Sequence, residues 1–450
     1  MTIKLQPQMP PKDFLTGPVS GHMFQMIKDR FQFLQKAMLN QGDFVHFKYF
    51  RDNTYLMLHP DGIKHVLSTG QAKYSKMVRG TQMLALIGGR GLLTSEGEFW
   101  QQSRRVIQPF FIKKQYARYV EMMNDCALKL VARWKERFLD REFDLSPEMT
   151  KFTLNVLGRS IFNEDFDPHT DTVYESLRGL LNITEDRIVH LIPRRGKAKK
   201  EQDLAFAREM KILEDLVDGL IIKSKNATTL DPEKNFIHAM MASSVEFSDK
   251  DLRDHVISLL IAGHETTATA LSWLFILLEN HPTHKKKILD EIALIPQEQV
   301  SLEEIDSLEF TKCCAQESLR LYPPFWIMGR VATQEDELLG HPIKKGDRIQ
   351  INPYFTHHNP RYWEQPEEFR PERFLPENIS KINEYCFIPF GKGPRTCIGN
   401  HFAMFEMLVG VFQLLKHFDF QVVNAQAIKP DFRITLRPDQ EVKVKIKVIK

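Results

Sequence analysis

Phe390-Gly-Lys-Gly-Pro-Arg-Thr-Cys-Ile-Gly399 is the stretch whose reading decides the fold. Cys397 ends a loop rich in Gly and Pro, and an apolar-periodic helix starts directly after it. Phe402, Met404, Phe405, Leu408, Val409, Val411, Phe412 and Leu415 recur close to a 3.6 period. A cysteine just before a helix start faces unpaired backbone N–H groups and the positive end of the helix dipole, and both favour thiolate over thiol. Gly391, Gly393 and Gly399 remove side chains where backbone must approach something closely or take positive φ. Arg395, two residues before the cysteine, adds a fixed cation suited to a carboxylate on a bound group.

A thiolate presented this way suits an axial ligand to haem iron, where it pushes electron density toward O–O cleavage. A lone cysteine before a helix is more often a small apolar residue, so the complete pattern has to decide. Phe390, Gly393, Arg395, Cys397 and Gly399 stand at the offsets of a known signature. The stretch resembles the haem-binding loop of the cytochrome P450 family, and every fixed position matches. The resemblance implies haem b (iron protoporphyrin IX) with Cys397 as its ligand and Phe390, Gly391 and Gly399 beside it.

The totals agree with an enzyme of that kind. The chain has 450 residues, of which 42% are hydrophobic and 26% charged, an ordinary balance for a globular protein with a large core. A net charge of +3, from 61 basic and 58 acidic residues, argues against general nucleic-acid binding. Five cysteines, two of them adjacent at Cys313 and Cys314, do not suggest a disulfide framework. The N-terminus, a Pro-rich lead-in over residues 1–20, has no apolar run of signal-peptide length. The most apolar stretch, Val256 to Leu278, is interrupted by His264, Glu265 and three threonines, so it reads as a core helix and not a transmembrane anchor. A soluble, cytoplasmic protein is expected.

Along the chain, Met23–Leu39 reads as a helix, and Phe44–Phe50 with Thr54–His59 as strands. Lys76–Leu93 reads as a long irregular loop, and Ser95 with Glu98 as a capping box opening the next helix. That helix carries Trp100 and Arg104 on one face. Alone they suggest an arginine resting on an aromatic ring. The resemblance makes them propionate-binding residues, joined by Arg330 and Arg395. Helices follow over 115–138, 147–162, 170–181 and 204–225, with the basic run Pro193–Lys200 as a solvated connection.

Ser248, with Asp251, caps the longest helix, which runs to about Asn280 and contains Ala262-Gly-His-Glu-Thr-Thr267. An acid beside a hydroxyl in an apolar helix is unusual because an unpaired buried carboxylate costs several kcal/mol. Thr266 bonding back to the Ala262 carbonyl, near Gly263, suggests a local opening of the helix. The segment matches the family's oxygen-activation motif, which implies Thr266 holding and protonating bound O₂ and Glu265 relaying protons. Glu317 and Arg320, three apart, and Arg373 match the family's buried ionic triad. By position, Leu93, Ala262, Phe325 and Ile434 resemble residues that face a distal substrate pocket. From Asn352 to Cys397 the chain is Pro-rich and aperiodic, a length better explained by a wrapped cofactor than by a free loop. The alternating residues of 432–436 and 442–448 suggest a C-terminal hairpin whose lysines face solvent along an edge strand.

The expectation is a mainly α fold with small β-sheets, residues 1–450 forming one haem-binding domain between the long distal helix and the proximal cysteine loop. The resemblance implies monooxygenation of a hydrophobic substrate (a fatty acid, terpenoid or steroid-like molecule) with O₂. His264-Glu-Thr-Thr267 and Lys416-His-Phe-Asp-Phe420 are similar to the fatty-acid hydroxylase branch. No flavin or ferredoxin-type segment is present, so electrons are expected from a separate ferredoxin or flavodoxin with its reductase, docking near Lys113, Lys114 and Lys392. A peroxide-driven or isomerising haem-thiolate enzyme, or a non-catalytic haem sensor, is the alternative. Product analysis with a reductase system against peroxide alone separates them.

Overall fold

The computed structural model describes residues 12–13, 29–49, 52–189 and 194–449. Among these, eleven helices have ten or more residues: Arg30–Gln41 (α1), Arg79–Gly88 (α2), Gly97–Ile107 (α3), Tyr116–Arg137 (α4), Leu145–Leu157 (α5), Thr170–Val189 (α6), Gly196–Lys225 (α7), Asp249–Asn280 (α8), Pro282–Ala293 (α9), Glu309–Leu321 (α10) and Asn400–His417 (α11). The first part of the expected 23–39 helix lies outside the described residues.

α8 is buried on nearly every side from Leu252 to Leu278, as expected of an apolar helix at the centre of a large core. Its start is fixed by Ser248 and Asp251, each side chain accepting from the other's backbone N–H, at 3.2 and 3.0 Å. α5 lies along it and α11 packs on both α4 and α8. The β structure is peripheral. Six strands pair in the order 12–13, 44–49, 52–57, 348–351, 328–332 and 74–75, with Thr54 opposite Arg348 and Met57 opposite Ile351 in a parallel pairing.

Four local expectations are corrected. The 76–93 stretch is not an irregular loop throughout, because α2 forms where Leu84 and Ile87 bury against α6 and α8; packing overrides its weakly helical Gly80 and Gly88. Ser95 and Glu98 form no capping box. The N-cap of α3 is Glu96, whose carboxylate instead accepts from Ser75 Oγ at 2.6 Å and Lys76 N at 2.5 Å. The C-terminal strands do not pair with each other: 430–432 pairs with 436–438, and 443–448 pairs with 418–422. Strand 443–448 is also central and not an edge, since 142–144 covers its other side.

The aperiodic 352–374 segment is held by charge. Glu317 receives Arg320 Nε and Nη2 at 2.7 and 2.9 Å, Arg373 Nε at 3.2 Å and the Arg370 amide at 2.9 Å. Arg320 also donates to the carbonyls of His357, Pro366 and Glu368. Glu317 and Arg320 are both fully buried, so nearly every bonding site of each has to be filled from within.

A second buried acid lacks such company. Glu406 on α11 has no exposure, and neither carboxylate oxygen has a hydrogen-bond partner among the described residues. Burial lifts its carboxyl well above the ordinary range, against a smaller opposite pull from Thr267 on α8. The unfolded chain releases that proton once the pH passes about 4.3, and the folded chain holds it to a higher pH, so this group lowers stability as pH rises. Glu406→Gln should therefore flatten the loss of thermal stability between about pH 5 and 8. A pH profile of unfolding parallel to that of the unaltered protein would show that Glu406 ionises in the fold.

Candidate active site

The cysteine loop closes on itself before α11. Cys397 N donates to Phe390 O at 2.8 Å, Gly391 N to Ile388 O at 3.0 Å, and the Thr396 hydroxyl to Gly393 O at 2.7 Å. Gly393 sits at φ +73°, and a Cβ there would stand 1.9 Å from the Leu67 carbonyl oxygen, so only glycine fits. Gly399 differs from the expectation. It has φ −95°, and a Cβ would make ordinary contact with Phe111 at 3.5 Å, so nothing within the protein demands glycine there.

Of the five cysteines only Cys397 shows exposed surface; the other four are buried. The surrounding protein still pushes the Cys397 thiol upward, opposed by the Gly399 N–H and by Arg104. The helix start and the nearby cation thus do not favour the thiolate on their own. A metal cation held at the sulfur would supply what is missing, since coordination deprotonates a thiol outright.

Beside the loop lies a cluster of positive charge in which Arg330 is buried and Lys76, Arg104 and Arg395 are half-buried. Arg395 stacks its guanidinium 3.9 Å over the Trp100 ring and donates to Ser95 O at 2.8 Å. Arg104 approaches the same ring at 5.9 Å. Arg330, in the middle of strand 328–332, donates to Gly329 O at 2.8 Å. Lys76, which the sequence reading passed over, is the fourth cation; its ammonium is held by the Leu93 carbonyl. Among the described residues none of the four forms an ion pair with a carboxylate, and Glu96 is the one acid whose field reaches Lys76, Arg330 and Arg395.

The strain shows in their titration. Burial first, then Arg395 and Arg330, bring Lys76 down to about 7, and burial brings Arg395 down to about 10. Arg104 and Arg330 are lowered by burial as well. Four cations around one carboxylate call for further negative charge. The two propionates of haem b fit that need, and the Trp100 N–H, with no hydrogen-bond partner among the described residues, is a further donor.

In its middle, α8 has one narrow accessible window. Ala262 is exposed and Gly263, Glu265 and Thr266 are half-buried, between buried runs on either side. Thr266 Oγ1 donates to Ala262 O at 2.8 Å. The helix nevertheless runs unbroken, so the local opening is not seen; the neighbouring His264 carbonyl takes a hydrogen bond from Thr153 of α5 at 2.7 Å. His264 is buried with its ring bonded to the Leu260 carbonyl, a core residue. The carboxylate of Glu265 accepts from Thr435 Oγ1 at 2.8 Å, a partner that alternation in the C-terminal stretch did not reveal. Of the four apolar positions singled out for the pocket, Phe325 is 40% exposed, Ala262 is exposed, and Leu93 and Ile434 are half-buried.

A cavity of about 400 Å³ is lined by Arg104, Ile112, Lys113, Thr396, Cys397 and His401 among others. Lys114 and Lys392, expected to be free there, are paired with Glu233 at 3.1 Å and Glu384 at 3.4 Å. Lys113 and the exposed Arg105 carry no such pair among the described residues.

A family model described as cytochrome P450 matches residues 10–446. The chain is 29% identical to the protein LUTEIN DEFICIENT 5, chloroplastic, of Arabidopsis thaliana, over 97% of this chain and 77% of that one. It is also 29% identical to cyclooctatin synthase of Streptomyces melanosporofaciens, over 93% of this chain and 92% of that one. The bifunctional cytochrome P450/NADPH–P450 reductase 2 of Bacillus subtilis is 30% identical over 80% of this chain but only 36% of its own length. With a family model spanning almost its entire length, the chain belongs to the cytochrome P450 family of haem b monooxygenases.

Proposed function

We propose that this monooxygenase inserts one oxygen atom from O₂ into a hydrophobic substrate of the fatty-acid, terpenoid or steroid-like class. The observation that supports the site assignment is the cluster of half-buried Lys76, Arg104 and Arg395 with buried Arg330 beside the one exposed cysteine. Haem b bound there supplies the activation of O₂. Cys397 holds the iron, Trp100, Arg104, Arg330 and Arg395 hold the propionates, and Lys76 joins them. Glu317, Arg320 and Arg373 keep the 352–374 segment in place beneath the group.

On the α8 side, the Thr266 hydroxyl holds a proton at the window where the helix surface is accessible, and Glu265 passes protons to it from outside. Leu93, Ala262, Phe325 and Ile434 line the substrate space, and their apolar character supports a hydrophobic substrate. Electrons arrive from an acidic ferredoxin or flavodoxin with its reductase, seated over the groove lined by Lys113 and drawn also by the exposed Arg105; complementary charge chiefly raises the encounter rate. We place the enzyme in the cytoplasm, with the whole chain acting as one haem-binding unit. Among the described residues no helix is long and apolar enough to cross a membrane.

Cys397→Ser should abolish the red-shifted Soret band of the reduced carbonyl complex; a variant that kept it would exclude Cys397 as the ligand. Thr266→Ala should still bind haem yet divert reducing equivalents to hydrogen peroxide, with product formation down by about 10²-fold if the hydroxyl has its full acid–base role. Coupling equal to that of the unaltered enzyme, across a lipid and terpenoid panel, would remove that role. Reduction by an acidic partner should slow with added salt, because the Debye length is only about 8 Å at physiological ionic strength. Arg105→Glu with Lys113→Glu should slow it further without altering substrate binding, and a rate indifferent to both changes would place the partner elsewhere.

A further inference from the structure

The side chain of Glu265 has one hydrogen-bond donor among the described residues, and it comes from the far end of the chain. Thr435 is 5% exposed and lies in the turn between strands 430–432 and 436–438. Its hydroxyl donates to Glu265 Oε1 at 2.8 Å across 170 residues of sequence.

That turn is held firmly. Leu436 N donates to Pro324 O at 2.8 Å, Trp273 Nε1 of α8 donates to Leu436 O at 2.9 Å, and Trp326 Nε1 donates to Arg433 O at 2.7 Å. The Trp273 ring is stacked on Tyr322 with centroids 3.9 Å apart. The residue donating to the acid is therefore fixed to the same helix that carries the acid.

Among the described residues no cation pairs with Glu265. Arg433 pairs with Asp431 and Glu185, and Arg437 reaches Glu185 at 3.8 Å. His264, next to Glu265, is buried, and burial lowers its ring against the pull of that carboxylate, so it stays neutral. A half-buried carboxylate with one neutral donor and no ion pair takes its direction from that donor.

We infer that Thr435 is a positioning residue, which holds the Glu265 carboxylate in the orientation from which it hands protons to Thr266. This rests on the monooxygenase reading given above. The step moves only protons: the Glu265 carboxylate takes a proton from solvent and gives it to Thr266 Oγ1 as the Thr266 O–H proton passes to the oxygen atom released as water, which returns Glu265 to the carboxylate. With a rigid turn behind it the acid is placed before it acts; without the hydroxyl it swings among rotamers. A misplaced proton donor is enough to lower a rate by one to two orders of magnitude.

The test uses the haem-loaded enzyme with Thr435→Val, which keeps shape and loses the hydroxyl, and Thr435→Ser, which keeps the hydroxyl. Infrared difference spectra, with Glu265→Gln as the blank, identify the carboxylate stretching band of Glu265 without any turnover. That band should shift in Thr435→Val and return in Thr435→Ser. In the same pair, product formed per reducing equivalent should fall by about tenfold and recover, while the carbonyl spectrum and substrate-binding spectrum stay unchanged. An unmoved band overturns the proposal, and so does a moved band with unchanged coupling. If Thr435→Val fails to fold, Thr435→Ala takes its place under the same two criteria. An unaltered enzyme that oxidises no substrate counts against the monooxygenase reading; the infrared comparison still decides whether Thr435 directs Glu265.

Discussion

Lys76, Arg104, Arg330 and Arg395 converge beside the cysteine loop, with Glu96 as the one acid whose field reaches three of them. Bringing four cations together where water only partly reaches them is unfavourable unless something else is gained. In the reading proposed above, the gain is a site for a doubly negative, planar group with a sulfur beside it. Glu96 is committed to Ser75 and to the Lys76 amide, so it tempers the field without filling the place meant for an anion.

The opposite electrostatic solution appears at Glu317 and Arg320. There the charges are fully buried yet nearly saturated with partners, and the arginine spends its remaining donors on carbonyls of a segment with little regular structure. Taking one partner from such a pair costs roughly 3–5 kcal/mol because the other is left buried and alone. One pair is closed and structural; the cluster near Cys397 is open and receptive. The difference lies in donor count and not in residue type.

What adjacent residues encode was legible in the sequence. Ser248 and Asp251 cap α8 because both partners lie within one turn, and the loop 390–399 carries its own hydrogen bonds. Ser95 and Glu98 have the same spacing and form no such cap, because Glu96 finds better partners twenty residues upstream. The missed features are the non-local ones. Lys76 reads as an ordinary surface residue until strand 328–332 and the cysteine loop fold around it. α2 was hidden by its glycines and is supplied by burial of Leu84 and Ile87. The strand pairing of 443–448 depends on 418–422, and alternation alone names no partner.

The close approach of Gly393 to Leu67 has a consequence for assembly. The ligand loop is shaped by backbone more than 300 residues upstream, and the cations around it come from the first quarter and the last third of the chain. No fragment contains the site, so contacts of this sequence separation form late and slowly. A cofactor that binds here meets only the completed fold, and by mass action it stabilises that fold in proportion to the logarithm of its concentration over its dissociation constant. Haem supply therefore governs how much of this chain persists in the folded form, as well as how much of it is active.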